Sequence, residues 1–431
     1  MAADVSVDPA RWGEGFEDLI ARIGRRFGRV EPRWRARSFL LGLLAGLPRT
    51  NCWTIAEHAG QASPDGMQHL LARAVWDHDG VRDDLRRYVT DHLGDAGAVL
   101  VVDETGDVKK GVHTVGVQRQ YTGTAGRIEN AQVGVYLVYA TPRGHAFIDR
   151  ELYLPKSWAD EGSRCQAAGV PDDVGFATKP ALARAMIARA LDAGTPASWV
   201  AGDEVYGSDP ALRALLQDRR IGYVLAVAAT HRVITGIGKH EAREIAARLP
   251  DRVWNRLSTG DGAKGHRLYD WALVDIATGV EGCHGLLIRR SIRTGELAFY
   301  RAYSPAPVPL NTLVSVAGRR WTIEESFQTG KGLAALDEHQ VRTWTSWRRW
   351  TILAMLAHAF LAVMAATEPD HRTRRPGLIR NTMNEIRHLF TALFARTTRD
   401  PLHMLRWSRW RRCHQARARA CHYRRQAAEL A

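Results

Sequence analysis

Cysteine is scarce in this sequence. The 431 residues include five cysteines, an odd number, scattered at positions 52, 165, 283, 413 and 421. Such a set predicts no disulfide framework and fits a reducing compartment. The Cys-His pairs at 413–414 and 421–422 do not have the spacing of common structural zinc sites. We therefore expect neither disulfides nor structural zinc.

Long apolar runs and a secretory signal pattern are also missing. The longest apolar runs are SFLLGLLAGL (38–47) and ILAMLAHAFLAVMAA (352–366). Both are shorter than the roughly 20 residues that a helix needs to cross a bilayer. The first residues, MAADVSVDPARWGEG, do not show the basic-then-apolar order of a signal peptide. These features predict buried helices in a cytoplasmic, nucleoid-associated protein without a membrane partner.

Acidic side chains are in deficit. There are 46 Asp and Glu residues against 60 Lys and Arg residues, which gives a formal charge of +14. This excess favours a polyanionic partner, nucleic acid first and an anionic membrane second. The basic residues are spread over folded segments rather than gathered on one amphipathic helix, which argues against the membrane. Much of the excess is arginine, and a high arginine content can also follow from genomic base composition. The charge alone is therefore an indication, rather than proof, that double-stranded DNA is the partner.

The N-terminal residues are predicted to be helical. Apolar residues recur every three to four positions from 14 to 94. Within this region, TIAEHAG and SPDGMQHLLAR predict two short helices joined by a turn, which is compatible either with a helix-turn-helix or with a plain helical bundle. We assign residues 1–95 to a helical N-terminal domain that is expected to bind DNA.

From residue 97 the pattern changes to strands. Strands are predicted within GAVLVVDETG (97–106), HTVGVQRQYTG (113–123), NAQVGVYLVYATPRG (130–144), AFIDRELYLP (146–155), SWVAGDEVYG (198–207) and YVLAVA (223–228). Helices are predicted at 178–194 and 209–220, before and after the fifth of these strands. This order of strands and helices predicts an α/β fold with a mixed sheet flanked by helices.

Later segments complete the predicted organisation. The first part of the catalytic domain is expected at 96–228, and its last part, with C-terminal helices, at 309–400. Between them, alternation and glycine-containing turns predict a mainly-β insertion at 229–308, with the character of a second small domain. The tail at 401–431 has eight arginines, one acidic residue and two interleaved tryptophans, which suits contact with phosphates.

Two carboxylates follow apolar strands at the end of the sheet where α/β proteins bind ligands. These are Asp103 and Asp203, and a helix packed across the sheet could bring Glu324 to the same point. Three crowded carboxylates repel one another unless cations offset their charge. Hard divalent ions with oxygen ligands, Mg²⁺ or Mn²⁺, suit such a group. Two of them can serve phosphodiester chemistry.

The stretch RRWTIEESFQTGK (319–331) surrounds the third carboxylate. At helical spacing, Arg320, Glu324 and Lys331 lie close to one face. One interpretation is an ordinary solvated helix with charged pairs. The other is that Glu324 is a metal ligand and that the two cations hold an anion beside it. This stretch alone leaves both open.

Taken together, these segments resemble the DDE transposases of bacterial insertion sequences, whose catalytic domain has the ribonuclease H-like fold. Many members with a β insertion carry a Y-x2-R-x3-E-x6-K signature. Here R-x3-E-x6-K is present as Arg320, Glu324 and Lys331, whereas Ala317 occupies the tyrosine position. The blocks VVDETG, HTVGVQRQYTGTAGRIENAQVGV and AGDEVYG are also similar, and the resemblance covers most of residues 30–360.

This resemblance implies roles for individual residues. Asp103, Asp203 and Glu324 would be the catalytic triad and bind Mg²⁺, with Mn²⁺ as a substitute and two ions in all. Arg320 and Lys331 would bind DNA phosphates. Lys109 and Arg119 flank the first two strands, where they either line the DNA path or lie in solvated loops.

Four neighbouring carboxylates compete with this assignment. We expect Glu104 and Glu204 to point to the opposite side if the strand pleat continues. Asp107 lies beyond the predicted strand end, and Glu325 is rotated by about 100° from Glu324 on a helix. In the insertion, Tyr269 and Trp271 either pack a small β core or stack on an unpaired base.

The function implied is a DNA transposase that cleaves the ends of its element and joins the 3′-hydroxyl to target DNA, working as a homodimer on DNA. The alternatives are a metal-dependent DNA nuclease without strand transfer and a catalytically retired DNA-binding regulator. The intact set of three carboxylates with Arg320 and Lys331 argues against the regulator.

Overall fold

The computed structural model describes residues 8–236, 238–262, 265–368, 380–395 and 400–430. The N-terminal region is helical, as predicted. Its helices are α1 (Pro9–Gly24), α2 (Val30–Leu44), α3 (Cys52–His58), α4 (Asp65–Ala72) and α5 (His78–Leu93). Side-chain caps begin several of them. Asp8 accepts a hydrogen bond from the Ala10 amide, and Asn51 forms a capping box with Thr54 at the start of α3.

The central sheet begins after α5. Its first strands are β1 (Val99–Val108), β2 (Gln118–Thr122), β3 (Arg127–Thr141), β4 (Gly144–Leu152), β5 (Trp199–Gly202) and β6 (Gly222–Val227). β1 pairs antiparallel with β3 and parallel with β5, and β5 pairs parallel with β6. The side-by-side order β4-β3-β1-β5-β6 is that of a ribonuclease H-like sheet. The predicted fold class is confirmed.

Helices separate and cover these strands. Between β4 and β6 lie α6 (Lys156–Ala159), α7 (Gly162–Ala167), α8 (Lys179–Asp192), α9 (Glu204–Gly207) and α10 (Pro210–Asp218). α8 makes the crossover that allows β5 to lie parallel to β1. The strand predicted through residue 207 ends at Gly202, because Asp203 caps α9 by accepting a hydrogen bond from the Val205 amide.

The β-rich segment that follows differs from the expected second small domain. It contains β7 (Arg232–Thr235), β8 (Gly238–Glu241), α11 (Ala242–Ala247), β9 (Asn255–Gly262), β10 (Gly265–Asp275), β11 (Cys283–Arg290) and β12 (Leu297–Ser304). β12 pairs antiparallel with β6, so β9–β12 extend the central sheet. This pairing satisfies the backbone groups that β6 would otherwise expose at a sheet edge.

The C-terminal part is helical. It comprises α12 (Leu310–Arg319), α13 (Trp321–Ala334), α14 (Trp344–Thr367), α15 (Met383–Phe394) and α16 (Pro401–Leu430). α14 is long and apolar enough to span a membrane, but 83% of its most apolar window is buried inside the protein. The prediction of a buried helix at 352–366 is thus confirmed. One hydrophobic core joins α14 to the N-terminal helices and to the central sheet.

Buried ion pairs reinforce this junction. Arg348 on α14 binds Asp79 on α5 at 2.7 Å and Glu151 on β4 at 2.8 Å. Arg189 on α8 binds Glu151 and Asp149, each at 2.8 Å. Arg348, Glu151 and Asp149 are largely buried, and buried charges are tolerated only when they are paired. The network therefore connects the N-terminal helices, the sheet and α14.

Candidate active site

The two strand-end carboxylates are neighbours in the sheet. Val102 on β1 is in register with Gly202 on β5, and the next residues are Asp103 and Asp203. Because the two strands are parallel, both side chains leave the sheet at the same end. Backbone hydrogen bonds from the Glu104 and Val205 amides orient the two carboxylates. The predicted proximity of Asp103 and Asp203 follows from this register.

α13 brings the R-x3-E-x6-K motif to the same place. A cavity of about 630 Å³ is lined by Asp103, Asp203, Arg320, Glu324 and Lys331 together. Glu324 lies in the first turn of α13 and Lys331 in the last. These are the ends of a helix at which a negative and a positive side chain, respectively, are favoured by the helix dipole. The three predicted carboxylates and the two predicted cations of the motif therefore share one cavity.

Two cations lie beside these carboxylates. A guanidinium nitrogen of Arg320 is 3.9 Å from Asp103 Oδ2 and 4.0 Å from Glu324 Oε1. Lys331 Nζ donates a hydrogen bond to Thr105 Oγ1 at 2.8 Å. Arg320 thus partly offsets the charge of the carboxylates, whereas Lys331 points at neutral hydroxyl groups and keeps its charge available to an anion.

The carboxylates disfavour one another's ionised forms. Burial and then the nearby charges of Asp203, Glu104 and Glu324 raise the pKa of Asp103 to about 8. Burial and the charge of Glu104 also raise the pKa of Asp203. Such shifts mean that negative charge at this point is insufficiently compensated by the protein. A bound cation would relieve the repulsion.

The donors present fit a hard divalent ion. Asp103, Asp203 and Glu324 offer only carboxylate oxygens, which Mg²⁺ and Mn²⁺ prefer. Burial, and to a smaller extent the neighbouring carboxylates, raise the pKa values of the two aspartates, and a bound cation would offset both effects. Within the described residues, however, no three His, Cys, Asp or Glu side chains stand close enough to form a ready-made ligand group. The three carboxylates share the cavity without closing around one point.

The prediction for Glu104, which the sequence named only as a competing carboxylate, was wrong. Glu104 was expected to point away, yet it lines the same cavity and raises the pKa of Asp203. Lys179 Nζ donates to one of its carboxylate oxygens at 2.7 Å, and Tyr206 Oη donates to the other at 2.6 Å. The adjacency of Glu104 to Asp103 in the sequence was the one sign that Glu104 belongs to the site. The sequences of α8 and α9 did not indicate that Lys179 and Tyr206 would bind it.

The other competing carboxylates have different surroundings. Asp107 is paired with His339 Nε2 at 2.9 Å, and Glu204 is exposed at the start of α9. Glu325 lines the cavity but binds Arg267 at 3.0 Å and His145 at 3.4 Å. None of these three stands where Glu324 does.

Lys109 and Arg119 are not part of this cavity. The Nζ of Lys109 donates to the backbone oxygen of His339 at 3.0 Å, and burial lowers the pKa of Lys109. Arg119 is exposed on β2, opposite Asn130 on β3. The structure therefore places Arg119 on the surface and Lys109 in an internal contact.

A second cavity adjoins the first. It measures about 540 Å³, shares Arg320 and Trp321 with the first, and is lined by Ala317. Its remaining wall is largely aromatic and basic: Arg267, Tyr269, Trp271, Arg289 and Tyr300. Trp271 is buried, as the packing interpretation expected, but it packs in the main core and not in the core of a separate small β domain. Ala317 thus leaves open space where the signature has a tyrosine, facing rings supplied by β10 and β12.

Comparisons with known proteins identify the family of the chain. The family described as DDE superfamily endonuclease matches residues 23–245, more than half of the chain. The match includes Asp103 and Asp203 and ends before Glu324. A probable transposase for insertion sequence element IS701 from Microchaete diplosiphon is 29% identical over 195 residues, covering 45% of this chain and 48% of that protein. The chain therefore spans about half the length of this curated relative.

A solved structure, the cryo-EM structure of piggyBac transposase synaptic complex with hairpin DNA, is also similar. It shares 13% sequence identity, with 90% of this chain and 80% of that chain covered and a TM-score of 0.40. The fold itself is established by the strand order of the central sheet. With the family match over more than half of the sequence, the chain belongs to the DDE superfamily endonucleases.

Proposed function

We propose that this protein is a DNA transposase that acts on the ends of an insertion sequence. One observation carries the proposal: Asp103, Asp203 and Glu324 line a single cavity together with Arg320 and Lys331. Three carboxylates suit divalent metal ions, and the two cations suit the phosphates of the nucleic acid that the metals would act on. The family to which the chain belongs supports the same function.

Each side chain has a distinct role in this proposal. Asp103, Asp203 and Glu324 would hold two Mg²⁺ ions, for which Mn²⁺ would substitute. When bound, such a pair supplies activation of an attacking oxygen and stabilisation of the leaving oxygen. The Arg320 guanidinium binds a phosphate as a fork, and the Lys331 ammonium binds one as a point charge. Glu104, held by Lys179 and Tyr206, adds negative charge beside Asp103 and Asp203.

The reaction proposed has two phosphoryl transfers. In the first, water attacks the phosphodiester at the end of the element, and the 3′-oxygen leaves as a 3′-hydroxyl. In the second, this hydroxyl attacks a phosphodiester of the target DNA and displaces another 3′-oxygen. No side chain has to form a covalent bond to DNA. We propose that a homodimer carries out both steps on paired ends of the element.

The decisive experiment compares two neighbouring glutamates. Labelled duplex DNA with the element's terminal repeats is incubated with Mg²⁺, Mn²⁺ or EDTA and with wild-type protein, Glu324→Gln or Glu325→Gln. We expect metal-dependent cleavage at the repeat boundary, lost in Glu324→Gln while DNA binding persists. Glu325→Gln is the matched control: it makes the same change one residue away, on a side chain that binds Arg267 and His145, and should still cleave.

The alternatives predict other outcomes. Cleavage without any product joined to target DNA would support a nuclease that lacks strand transfer. Binding without cleavage in either Mg²⁺ or Mn²⁺ would support a retired regulator. Undiminished cleavage by Glu324→Gln would show that Glu324 is not a metal ligand.

A further inference from the structure

The C-terminal helix α16 is anchored at its beginning. Trp407 is fully buried, and its Nε1 donates to the backbone oxygen of Gln61 at 2.7 Å. His403 Nε2 lies 2.9 Å from the backbone oxygen of Glu57, and Arg411 binds the Glu57 carboxylate at 2.6 Å. Residues 403, 407 and 411 are four apart and share one helix face. This face fixes α16 to α3 and to the turn that follows it.

An aromatic contact extends the anchor by one more turn. The ring of Trp410 stacks on His414 at 5.2 Å and meets Trp53 of α3 edge-on at 4.7 Å. His414 also contacts Trp53, with the ring centroids 4.7 Å apart. Aromatic pairs with this geometry add to the stability given by burial. The direction in which the rest of α16 leaves the protein is therefore fixed by packing.

The distal part of α16, residues 412–428, has a different character. Nearly all of its side chains are exposed, and it contains no Asp or Glu. It carries five arginines: Arg412, Arg417, Arg419, Arg424 and Arg425. None of the five forms an ion pair with any residue that the structure describes. At 1.5 Å per residue this distal segment is roughly 25 Å long.

Five uncompensated positive charges on one exposed helix favour a long anionic partner. Double-stranded DNA presents a negative charge about every 1.7 Å along its axis, and its major groove admits an α-helix. A membrane fits poorly, because the distal segment has no Leu, Ile, Phe or Trp to form an apolar face. α16 packs against α3, which with α4 forms the pair of short helices that is compatible either with a helix-turn-helix or with a plain helical bundle.

We propose that the distal segment of α16 is a DNA-binding arm whose arginines contact phosphates of the double-stranded DNA on which the enzyme acts. This inference rests on the proposed function. The arm contributes affinity and orientation, and it takes no part in the chemistry at the carboxylate cavity. It binds through charge and shape, so its contacts are expected to be largely independent of base sequence.

The test measures how DNA binding by the full-length chain depends on salt, in EDTA so that no cleavage occurs. The arm variant combines Arg417→Gln, Arg419→Gln, Arg424→Gln and Arg425→Gln. We expect weaker binding and a log–log salt slope that is shallower by about 0.9 for each phosphate that the variant no longer neutralises. A second variant with lysine at the same four positions keeps the charge and should retain most of the wild-type slope.

A matched control removes the same charge elsewhere. It changes four exposed arginines outside α16 to glutamine, namely Arg232, Arg248, Arg252 and Arg293. Its slope should stay near that of the wild type, and circular dichroism should show that all variants are folded. An equal decrease of the salt slope in the control variant, or an unchanged slope in the arm variant, would overturn the proposal that the distal segment is a DNA-binding arm. Wild-type protein that binds no duplex DNA at all would instead overturn the proposed function.

Discussion

The guanidinium of Arg320 lies 3.9 Å from the carboxylate of Asp103 and 4.0 Å from that of Glu324, and all three residues line the same cavity. Arg320 is the residue that joins α12 to α13, so its backbone is held by two helices. A cation in this position has two consequences. It can bind a phosphate that enters the cavity, and it competes with a metal ion for the same carboxylates.

The first prediction concerns this dual role. Arg320→Gln removes the competing charge, so the DNA-free protein should bind Mn²⁺ several-fold more tightly than the wild type in calorimetric titrations. Cleavage should nevertheless fall by roughly 10²–10³, the decrease typical of removing one donor to a developing charge. Lys331→Gln is the comparison, because Lys331 contacts Thr105 rather than the carboxylates. Its cleavage should also fall, with Mn²⁺ affinity little changed. Equal Mn²⁺ affinities for wild type and Arg320→Gln would contradict this account.

The second prediction follows from the raised pKa of Asp103, about 8 in the folded protein. An aspartate in an unfolded chain has a pKa near 4. Between about pH 4 and pH 8, Asp103 is therefore ionised in the unfolded chain but still protonated in the folded protein. The folded state therefore loses stability as pH rises through this range. In EDTA, Asp103→Asn should raise the free energy of unfolding by a few kcal/mol at pH 8 and change it little at pH 4.

Asp107, four residues further along β1, is the control, because its pKa is shifted in the opposite direction. Although burial alone would raise its pKa, the hydrogen bond from His339 and the charge of Lys109 lower the pKa of Asp107. Its contribution to stability is present above the unfolded pKa and is lost as the pH falls through the folded pKa. Asp107→Asn should thus destabilise the protein at pH 8, as measured by urea unfolding. Stabilisation by both substitutions would refute the assigned pKa directions.

Some of this site could be predicted from the sequence, for physical reasons. Asp103 and Asp203 follow short apolar strands, and parallel neighbours in a sheet present their ends together. Helical spacing placed Arg320, Glu324 and Lys331 on one face of α13, and all three line the cavity. Helical spacing and the order of the strands along the chain can be read from local sequence patterns, and they suffice to predict where these residues lie.

Contacts between distant segments could not be predicted. The partners of Glu104 lie 75 and 102 residues away, and nothing in their own segments indicates the pairing. The docking of Trp407 on Gln61 spans 346 residues. The pairing of β12 with β6 likewise depends on which sheet edge is free once the chain has folded. Such features follow from tertiary packing, which pattern and propensity do not specify.

The third prediction tests the buried ion network. Arg348 binds both Asp79 and Glu151, and its removal takes one cation from each, although Arg189 still binds Glu151 and Arg82 still binds Asp79. Arg348→Met should lower the free energy of unfolding by about 1–3 kcal/mol, because Glu151 loses one of its two buried charge-assisted hydrogen bonds while Asp79 is partly exposed to water. Arg25→Met is the surface comparison. Arg25 is 65% exposed, and Asp84 keeps its bond to Arg26, so about 1 kcal/mol or less is expected there. If urea unfolding gave equal decreases in the free energy of unfolding for Arg348→Met and Arg25→Met, the buried network would contribute no more to stability than a surface ion pair.

The last prediction concerns Glu104. Glu104→Gln keeps the shape of the side chain and removes its negative charge. The amide oxygen can accept from Lys179 Nζ, and the amide nitrogen can donate to Tyr206 Oη, which then becomes the acceptor. That charge helps to raise the pKa values of Asp103 and Asp203, so both should fall in the variant. Carboxylates with lower pKa values are ionised at lower pH and can then bind metal there. The acidic limb of the pH–rate profile for Mg²⁺-dependent cleavage should therefore move to lower pH.

Glu204→Gln provides the comparison for this shift. Glu204 is also adjacent to one of the two aspartates in sequence, but it is exposed on α9 and is not among the residues that line the cavity. Its charge is screened by water, so its removal should leave the pH–rate profile in place. A similar shift in both variants would mean that net charge, rather than the position of Glu104 beside the carboxylate pair, sets the pH dependence. An unshifted profile in Glu104→Gln alone would show that Lys179 already neutralises its effect on the two aspartates.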